Sequence, residues 1–268
     1  MLNMIKALFF DIDGTLVSFN THQIPVSAVL ALERAKARGV KIFISTGRPK
    51  VIITNLGALE ERNLIDGYIT MNGGYCFTGD TVISKYPISE RSVQAVVSYA
   101  AERKIPNIVV GEHDICICDS AEIFEDLFYR QLKVGMAFPS KTVDEATRGK
   151  EIYQLTTFID EQQEAELAPL IPDCEIGRWH PSFVDISGMG CTKQKGIEAM
   201  IRHFGIQLEE TMAFGDGGND ISMLRHAHIG VAMGNGLDSV KAIADYVTDT
   251  VDNDGIAKAL RHYGVIDN

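Results

Sequence analysis

The sequence has no long hydrophobic run. Its longest uninterrupted apolar stretch is Ala28–Leu32, far short of the ~20 residues that a membrane-spanning helix needs. The apolar stretch near the N-terminus is interrupted at Lys6 and reaches Asp11 soon afterwards, so it is too short for a secretory signal peptide. We therefore expect a cytoplasmic protein that does not enter a membrane.

Positive charge and paired cysteines are also scarce. Lys and Arg number 25 against 36 Asp and Glu, a formal net charge of −11, which argues against nucleic acid or an anionic membrane as a partner. The five cysteines are odd in number and include no Cys-x-x-Cys pair, which indicates reduced, mostly buried thiols. The 268 residues are 46% hydrophobic and 23% charged, a composition typical of a folded globular protein.

The two ends of the sequence alternate between short apolar runs and helical patterns. Residues 5–10 and 40–45 have the apolar character of strands buried on both faces of a sheet. Between them, Pro25–Arg38 has apolar residues at helical spacing, namely Val26, Val29, Leu30 and Leu32. The alternation resumes after about residue 190. It predicts an α/β fold with a doubly wound, Rossmann-like and mostly parallel sheet.

Residues 83–186 interrupt this alternation with a different mixture of elements. A helical pattern covers Ala121–Leu132, and an apolar run at Ile152–Ile159 indicates a strand. The mixture predicts an inserted α+β domain at 83–186. The remaining residues, 1–82 and 187–268, would then form one doubly wound core in two pieces.

Three polar clusters each follow a predicted strand of the core. They are Asp11-Ile12-Asp13-Gly14-Thr15, Ser45-Thr46-Gly47-Arg48 and Gly215-Asp216-Gly217-Gly218-Asn219-Asp220. Ligands of open parallel sheets bind beyond the carboxyl ends of the strands, so the clusters would converge in one crevice if their strands are neighbours. Each cluster alone also has an ordinary explanation as a turn or a helix cap, but three such clusters together favour a site.

The converging side chains would be rich in carboxylates. Asp11 and Asp13 point the same way on an extended chain, and Asp216 and Asp220 would arrive nearby. A ligand set of carboxylate oxygens without His or Cys suits a hard cation, for which Mg²⁺ is the leading candidate. Because a carboxylate with the usual pKa of about 4 is ionised at neutral pH, Asp11 could attack phosphorus without a base to activate it.

These residues resemble the motifs of the haloacid dehalogenase superfamily of aspartate-dependent phosphatases. The four motifs match at Asp11-Ile12-Asp13-Gly14-Thr15, at Thr46, within Lys193-Gln194-Lys195-Gly196, and at Gly215–Asp220. The insertion between the second and third motifs is similar to a large α+β cap of class IIB. The order of its Thr-Gly-Arg, Asn-Gly, Lys-Gly and Gly-Asp-x-x-Asn-Asp motifs resembles that of the Cof-type subfamily. Members of that subfamily are mainly sugar phosphate phosphatases.

The resemblance implies a role for each matched residue. Asp11 is expected to be the nucleophile that forms an aspartyl phosphate. Asp13 would protonate the leaving alcohol and then deprotonate water, and the hydroxyl group of Thr46 would hold a phosphoryl oxygen. A lysine of the third motif would offset charge on the transferring group. We expect Lys195, because the family pattern is Lys followed by Gly, with Lys193 as the alternative.

The resemblance also implies a Mg²⁺ cofactor. The cation would be held by the Asp11 carboxylate, the Asp13 main-chain carbonyl and Asp216, and Asp220 would orient either the water molecules of the metal or the lysine. Three further residues are candidates to contact the substrate or its phosphate: Arg48, Asn219 and Gly47.

The expected function is Mg²⁺-dependent hydrolysis of small phosphate monoesters, hexose phosphates above all, in a cleft between core and cap. Two alternatives use the same residues. One is a sugar phosphomutase with the same aspartate chemistry, and the other is a catalytically silent module that binds phosphosugars. The partner would be a small phosphorylated molecule, and a monomer is compatible with the sequence.

Overall fold

The computed structural model describes residues 4–118 and 138–267, which form two compact units. The first unit consists of the described residues of Met1–Arg48, Ile53–Lys85 and Thr192–Asn268. The second consists of those of Pro49–Ile52 and Tyr86–Cys191. A cap function of the second unit stays a prediction.

The described strands are, in chain order, β1 Ala7–Phe10, β2 Lys41–Ser45, β3 Gly67–Thr70, β4 Tyr75–Thr78, β5 Thr81–Lys85, β6 Asn107–Gly111, β7 Ile115–Cys118, β8 Ser140–Lys141, β9 Ile152–Thr157, β10 Cys174–His180, β11 Phe183–Gly188, β12 Thr211–Gly215, β13 Ile229–Ala232 and β14 Tyr246–Val247. The described α-helices are α1 Val26–Ala37, α2 Gly57–Glu60, α3 Glu90–Arg103, α4 Val143–Thr147, α5 Glu161–Leu167, α6 Lys193–Phe204, α7 Ile221–His226, α8 Asp238–Lys241 and α9 Gly255–His262.

The first unit is built on an eight-stranded sheet in the order β14-β13-β12-β1-β2-β3-β4-β5. The six strands from β14 to β3 are parallel, and β4 and β5 continue the sheet in antiparallel pairing. The predicted doubly wound, mostly parallel sheet is therefore confirmed. The sequence analysis did not predict the β4–β5 hairpin, because the side chains of β5 are half-buried or exposed and give no apolar run.

Alternate residues of β1 face two separate helical layers. Leu8 and Phe10 belong to the apolar cluster that includes α1 and α9, whereas Ala7 and Phe9 belong to the cluster that includes α6 and α7. All four side chains are fully buried. Burying a Phe side chain contributes about 1.5–3 kcal/mol relative to leaving it exposed, so both faces of this central strand stabilise the sheet.

The buried face of α1 differs from the predicted one. Val26 and Leu30 were expected to face the core, but they are 73% and 49% exposed. The buried stripe instead runs through residues spaced three to four apart: Ala28, Leu32 and Ala35, with Val29 and Ala31 beside it. Residues two apart lie on nearly opposite sides of a helix, so Val26 and Leu30 turn outward when Ala28 faces the sheet.

The second unit is an α+β arrangement, as predicted. Its six-stranded sheet has the order β10-β11-β9-β6-β7-β8, antiparallel except for the β7–β8 pair. One face carries an apolar cluster that includes α3 together with Val109, Leu155 and Ile186. The helix predicted at Ala121–Leu132 lies outside the described residues.

The described residues, 4–118 and 138–267, bear on the expectations about the cysteines and about membrane-spanning helices. All five cysteines lie within these residues and are buried, and none of them forms a disulfide bond, as predicted. Among the described helices, none combines the length and the apolar character that crossing a bilayer requires.

Helix α6 lies unusually close to the sheet at Gly196. A Cβ atom added to Gly196 would lie 2.2 Å from Cγ2 of Ile69 on β3, and Ile69 is fully buried. We expect Gly196→Ala to lower the free energy of unfolding by about 1–3 kcal/mol, because overpacking a core has that cost and outweighs the better helix propensity of Ala.

The matched control for this variant is Gly57→Ala at the start of α2. A Cβ atom there would have its nearest neighbour, Oε1 of Glu61, at 3.9 Å, so the substitution should leave stability unchanged or slightly increase it. Urea unfolding of both variants measures the difference. Equal stability of the two would contradict the close approach of α6 to β3.

Candidate active site

The three predicted clusters lie at one edge of the sheet in the first unit. Strands β12, β1, β2 and β3 are adjacent and parallel, so the loops that follow them share that edge. The loop after β1 carries Asp11 and Asp13, the loop after β2 carries Thr46, and the loop after β12 carries Asp216. A fourth loop, after β3, carries Asn72.

Lys193 is the buried cation of the site. Its side chain has no exposed surface, and Nζ donates hydrogen bonds of 2.6 Å to Oδ1 of Asp11 and 2.6 Å to Oδ1 of Asp220. Burial opposes the charged form of Lys193, but the carboxylates of Asp11 and Asp220 outweigh it and raise the lysine pKa. The ammonium group therefore stays charged between two carboxylates that compensate its desolvation.

The preference for Lys195 is corrected by this geometry. Lys195 is exposed, and its main-chain N–H donates to Oγ1 of Thr192, the residue that caps α6, at 3.3 Å. Because Lys195 follows Lys193 by two helical positions, its side chain leaves α6 on a different side. The glycine of the Lys-Gly pattern, Gly196, is explained by the close packing on Ile69.

Both carboxylate oxygens of Asp220 are engaged. Oδ1 accepts from Lys193, and Oδ2 accepts from the main-chain N–H groups of Asp216 and Gly217, at 2.9 Å each. Of the two expected roles, orienting the lysine and orienting the water molecules of a metal, the contacts agree with the first. Asp220 also holds the loop that positions Asp216.

The carboxylates of Asp11, Asp216 and Asp220 crowd together, each offering one oxygen within 4.8 Å of the others. Burial, reinforced by Asp220 and Asp216 and opposed by Lys193, raises the pKa of Asp11 to about 8. Burial, with Asp220 and Asp13, raises the pKa of Asp216 to about 6 against the opposing effects of Thr15 and Lys193.

This donor set fits a hard divalent cation. Three carboxylates and the one ammonium group of Lys193 leave two negative charges when all are ionised, which a divalent cation would balance. Oxygen donors without nitrogen or sulfur are the ligands that Mg²⁺ and Ca²⁺ prefer. Thr15 Oγ1 donates to Oδ1 of Asp216 at 3.2 Å and so orients this carboxylate beside the loop after β1.

Asp13 is paired with Arg48. Nε and Nη2 of Arg48 donate to the two carboxylate oxygens of Asp13 at 2.7 and 2.5 Å, a bidentate pair with strong geometric preference. Thr46 is buried, and its Oγ1 accepts from the main-chain N–H of Arg48 at 3.1 Å. The predicted substrate contact Arg48 thus lies between Asp13 and Thr46.

Two residues of this edge were missed by the sequence analysis. Asn72, in the loop after β3, accepts at Oδ1 from Nδ2 of Asn219 at 3.1 Å and lies beside Gly47. Asn235, in the loop after β13, donates from Nδ2 to the Gly14 carbonyl at 2.7 Å. Their position in the sequence could have identified them, because each lies two or three residues after the end of a strand of the parallel sheet.

A family model and a curated relative cover nearly the whole chain. The model described as haloacid dehalogenase-like hydrolase matches residues 8–260. The candidate phosphatase YkrA of Bacillus subtilis is 34% identical over 263 residues, which make up 97% of this chain and 98% of YkrA.

Two solved structures are more similar still. The sugar phosphatase BT4131, of haloacid dehalogenase subclass IIB, has 58% sequence identity and a TM-score of 0.87 and covers 97% of this chain and 100% of its own. A structure from work on a trigonal-bipyramidal intermediate in a phosphoryl-transfer superfamily has 58% identity and a TM-score of 0.89 and covers 98% and 100% of the two chains.

The two lysines of α6 give a matched test of the buried cation. We expect Lys193→Met to lower the free energy of unfolding by about 3–5 kcal/mol at neutral pH, because it leaves buried carboxylates without their partner. Lys195→Met should change it by less than about 0.5 kcal/mol. Chemical unfolding without divalent cations measures both.

The loss in Lys193→Met should increase with pH. The pKa of Asp11 is already raised above its unfolded value of 3.8, and removing the ammonium group raises it further, so protonation favours the folded state at low pH. Stability is then lost as pH rises from about 4 through the raised pKa. An equal loss at pH near 5 and near 8, or equal effects of the two variants, would contradict the placement of Lys193.

Proposed function

The chain belongs to the haloacid dehalogenase-like hydrolases and is a phosphatase of that family, and on this premise we propose that it hydrolyses small sugar phosphates, in particular hexose phosphates, with Mg²⁺ and through an aspartyl phosphate. The observation that carries the proposal is the carboxylate of Asp11, held at the end of β1 by Lys193 at 2.6 Å. The sugar class is supported by the similarity to a sugar phosphatase.

Asp11 has the environment of a nucleophile. It is a buried carboxylate at the carboxyl end of the central strand, and the hydrogen bond from Lys193 fixes its orientation. The residues that would hold Mg²⁺ are the Asp11 carboxylate, the Asp13 main-chain carbonyl and Asp216. When bound, the cation supplies the positive charge that lets a phosphate dianion approach a carboxylate and favours the ionised form of Asp11.

The proposed reaction has two steps, transfer of the phosphoryl group to Asp11 and then to water. An oxygen of Asp11 forms a bond to phosphorus while the bond from phosphorus to the sugar oxygen breaks, and Asp13 gives its proton to that oxygen. A water molecule then attacks the aspartyl phosphate, Asp13 takes a proton from the water, and Asp11 leaves as a carboxylate. Thr46 and Lys193 would donate to the phosphoryl oxygens as charge develops on them.

The pair between Asp13 and Arg48 has to open in the first step. While its two oxygens accept from Nε and Nη2 of Arg48, the Asp13 carboxyl group is not available to pass a proton to the leaving oxygen. The phosphate dianion of the substrate competes with Asp13 for the guanidinium group, since Arg binds both anions in the same bidentate way. Binding of the phosphate would therefore release Asp13 for proton transfer.

The test is phosphate release from a panel of hexose, pentose and nucleotide monophosphates and from p-nitrophenyl phosphate. We expect the highest kcat/KM with a hexose phosphate and a loss of about 1,000-fold or more in Asp11→Asn, because the amide is not a nucleophile. Asp80→Asn, which removes an exposed carboxylate of the same unit, is the control and should be fully active.

Labelled water separates hydrolysis from the mutase alternative. In hydrolysis the label enters free phosphate, whereas a mutase interconverts sugar phosphates without release. Full activity of Asp11→Asn would remove the nucleophile assignment. Interconversion without release, or sugar phosphate binding without turnover in Mg²⁺, would replace the proposed hydrolysis by one of the alternatives.

Magnesium binding should depend on pH. Protons compete with the cation below the raised pKa values of Asp11 and Asp216, about 8 and about 6. We expect saturating Mg²⁺ to raise Tm by about 2–4 °C more near pH 8.5 than near pH 5.5. EDTA should abolish activity, and Mg²⁺ should restore it.

The control again compares two Asp→Asn substitutions. Asp216→Asn removes a proposed ligand and should abolish the thermal shift, whereas Asp80→Asn should keep it. A Mg²⁺ shift that is absent in the unaltered protein, or that survives in Asp216→Asn, would contradict the proposed site.

A further inference from the structure

We propose that Asn72 is a phosphate-binding residue of this site and donates an amide N–H to an oxygen of the substrate's phosphoryl group. The inference rests on the proposed function and extends it to a residue to which the sequence analysis assigned no chemical role. Three observations carry it: the strained turn that holds Asn72, the contacts of its side chain, and the pairing of the cations around it.

The turn that carries Asn72 has an unfavourable backbone. Met71, Asn72 and Gly73 have φ angles of 50°, 52° and 96°, so two consecutive residues with a Cβ atom adopt the left-handed region. This conformation costs an ordinary L-residue roughly 1–2 kcal/mol, and functional sites are one of the places where such strain is retained. Asn tolerates the conformation better than most residues.

Main-chain hydrogen bonds hold this turn against the loop after β2. The N–H of Met71 donates to the carbonyl of Arg48 at 3.3 Å, and the N–H of Asn72 donates to the carbonyl of Thr46 at 3.0 Å. On its other side the turn meets the start of α6, since a Cβ atom on Gly73 would lie 2.3 Å from the carbonyl oxygen of Thr192. Asn72 is thus fixed between the segments that carry Thr46 and Lys193.

The side chain of Asn72 lies directly over the Thr46–Arg48 segment. Its Nδ2 and Oδ1 would both be 3.3 Å from a Cβ atom on Gly47, so the missing side chain of Gly47 gives the amide its place. Oδ1 accepts from Nδ2 of Asn219. Because Oδ1 is engaged in this contact, Nδ2 is the group of the Asn72 amide that can donate to a ligand. The side chain is half-buried at the same edge of the sheet.

The charges of the site make a neutral donor useful here. Lys193 donates to Asp11 and Asp220, and Arg48 donates to Asp13, so each of these cations already neutralises a carboxylate. When a phosphate dianion binds beside these carboxylates, a cation that turns to it gives up part of its bond to a carboxylate. A donor that is not bonded to a carboxylate can bind the phosphate without that loss. An amide N–H beside Thr46 is such a donor, and a hydrogen bond to a charged acceptor is among the stronger ones.

Two substitutions separate the amide from the turn. Asn72→Asp keeps the size of the side chain and the acceptor for Asn219 but replaces the NH₂ donor with an anionic oxygen. Asn72→Gly removes the side chain and relieves the left-handed conformation. We expect the KM for p-nitrophenyl phosphate and the inhibition constant of inorganic phosphate to rise about 10- to 100-fold in both, more in Asn72→Asp, with Tm changed by less than about 3 °C.

Asn63 provides the matched control. It is a second asparagine of the first unit with a φ angle of 52°, and it is exposed after α2. Asn63→Asp and Asn63→Gly make the same chemical and conformational changes and should leave KM and phosphate inhibition unchanged.

The outcomes are distinct. Unchanged phosphate inhibition in either Asn72 variant overturns the inference, and so does a loss that accompanies a fall in Tm well beyond that of the Asn63 variants, because the turn would then be only structural. Absence of phosphate release by the unaltered protein would contradict the proposed function instead. Direct titration of inorganic phosphate in Mg²⁺ then tests Asn72 independently of turnover.

Discussion

The structure of the site depends on one buried ammonium group. Lys193 has no exposed side-chain surface and contacts Asp11 and Asp220, and a buried charge is tolerated only where such partners compensate the loss of water. The same contacts serve both the stability of the fold and the proposed chemistry. Lys193 orients the proposed nucleophile through one carboxylate, and through the other it is joined to the loop that carries Asp216.

The parallel sheet brings these groups together from distant parts of the chain. Asp11 and Lys193 are 182 positions apart, yet β1 lies between β12 and β2, and α6 packs on the same sheet through its buried face. Each strand ends at the same edge, so side chains immediately after the strands converge without any further structural device. The close approach of Gly196 to Ile69 then brings the first turn of α6 within reach of Asp11.

The sheet and the acidic clusters could be predicted from the sequence because they are local patterns: apolar runs followed by polar residues. Three features could not. The choice between Lys193 and Lys195 depends on the rotation of α6 about its axis, which packing determines. Which side of α1 faces outward depends on which of its two apolar stripes packs on the sheet. The stripe with small residues such as Ala28 packs there, and Val26 is exposed. The contacts of Asn72 depend on β3 pairing with β2. Local sequence patterns do not determine which strands pair.

Apart from Pro49–Ile52, the second unit is one uninterrupted segment of the chain, and this has a consequence for how the sequence can vary. Tyr86–Cys191 leaves the first unit after Lys85, at the end of an edge strand, and returns one residue before the cap of α6. Every residue to which we assign a chemical role lies outside this interval. Mutations can therefore accumulate within it, or the whole segment can be exchanged between relatives, while the charged apparatus for phosphoryl transfer is inherited intact. Variation in this segment is therefore separable from variation in the residues proposed for the reaction.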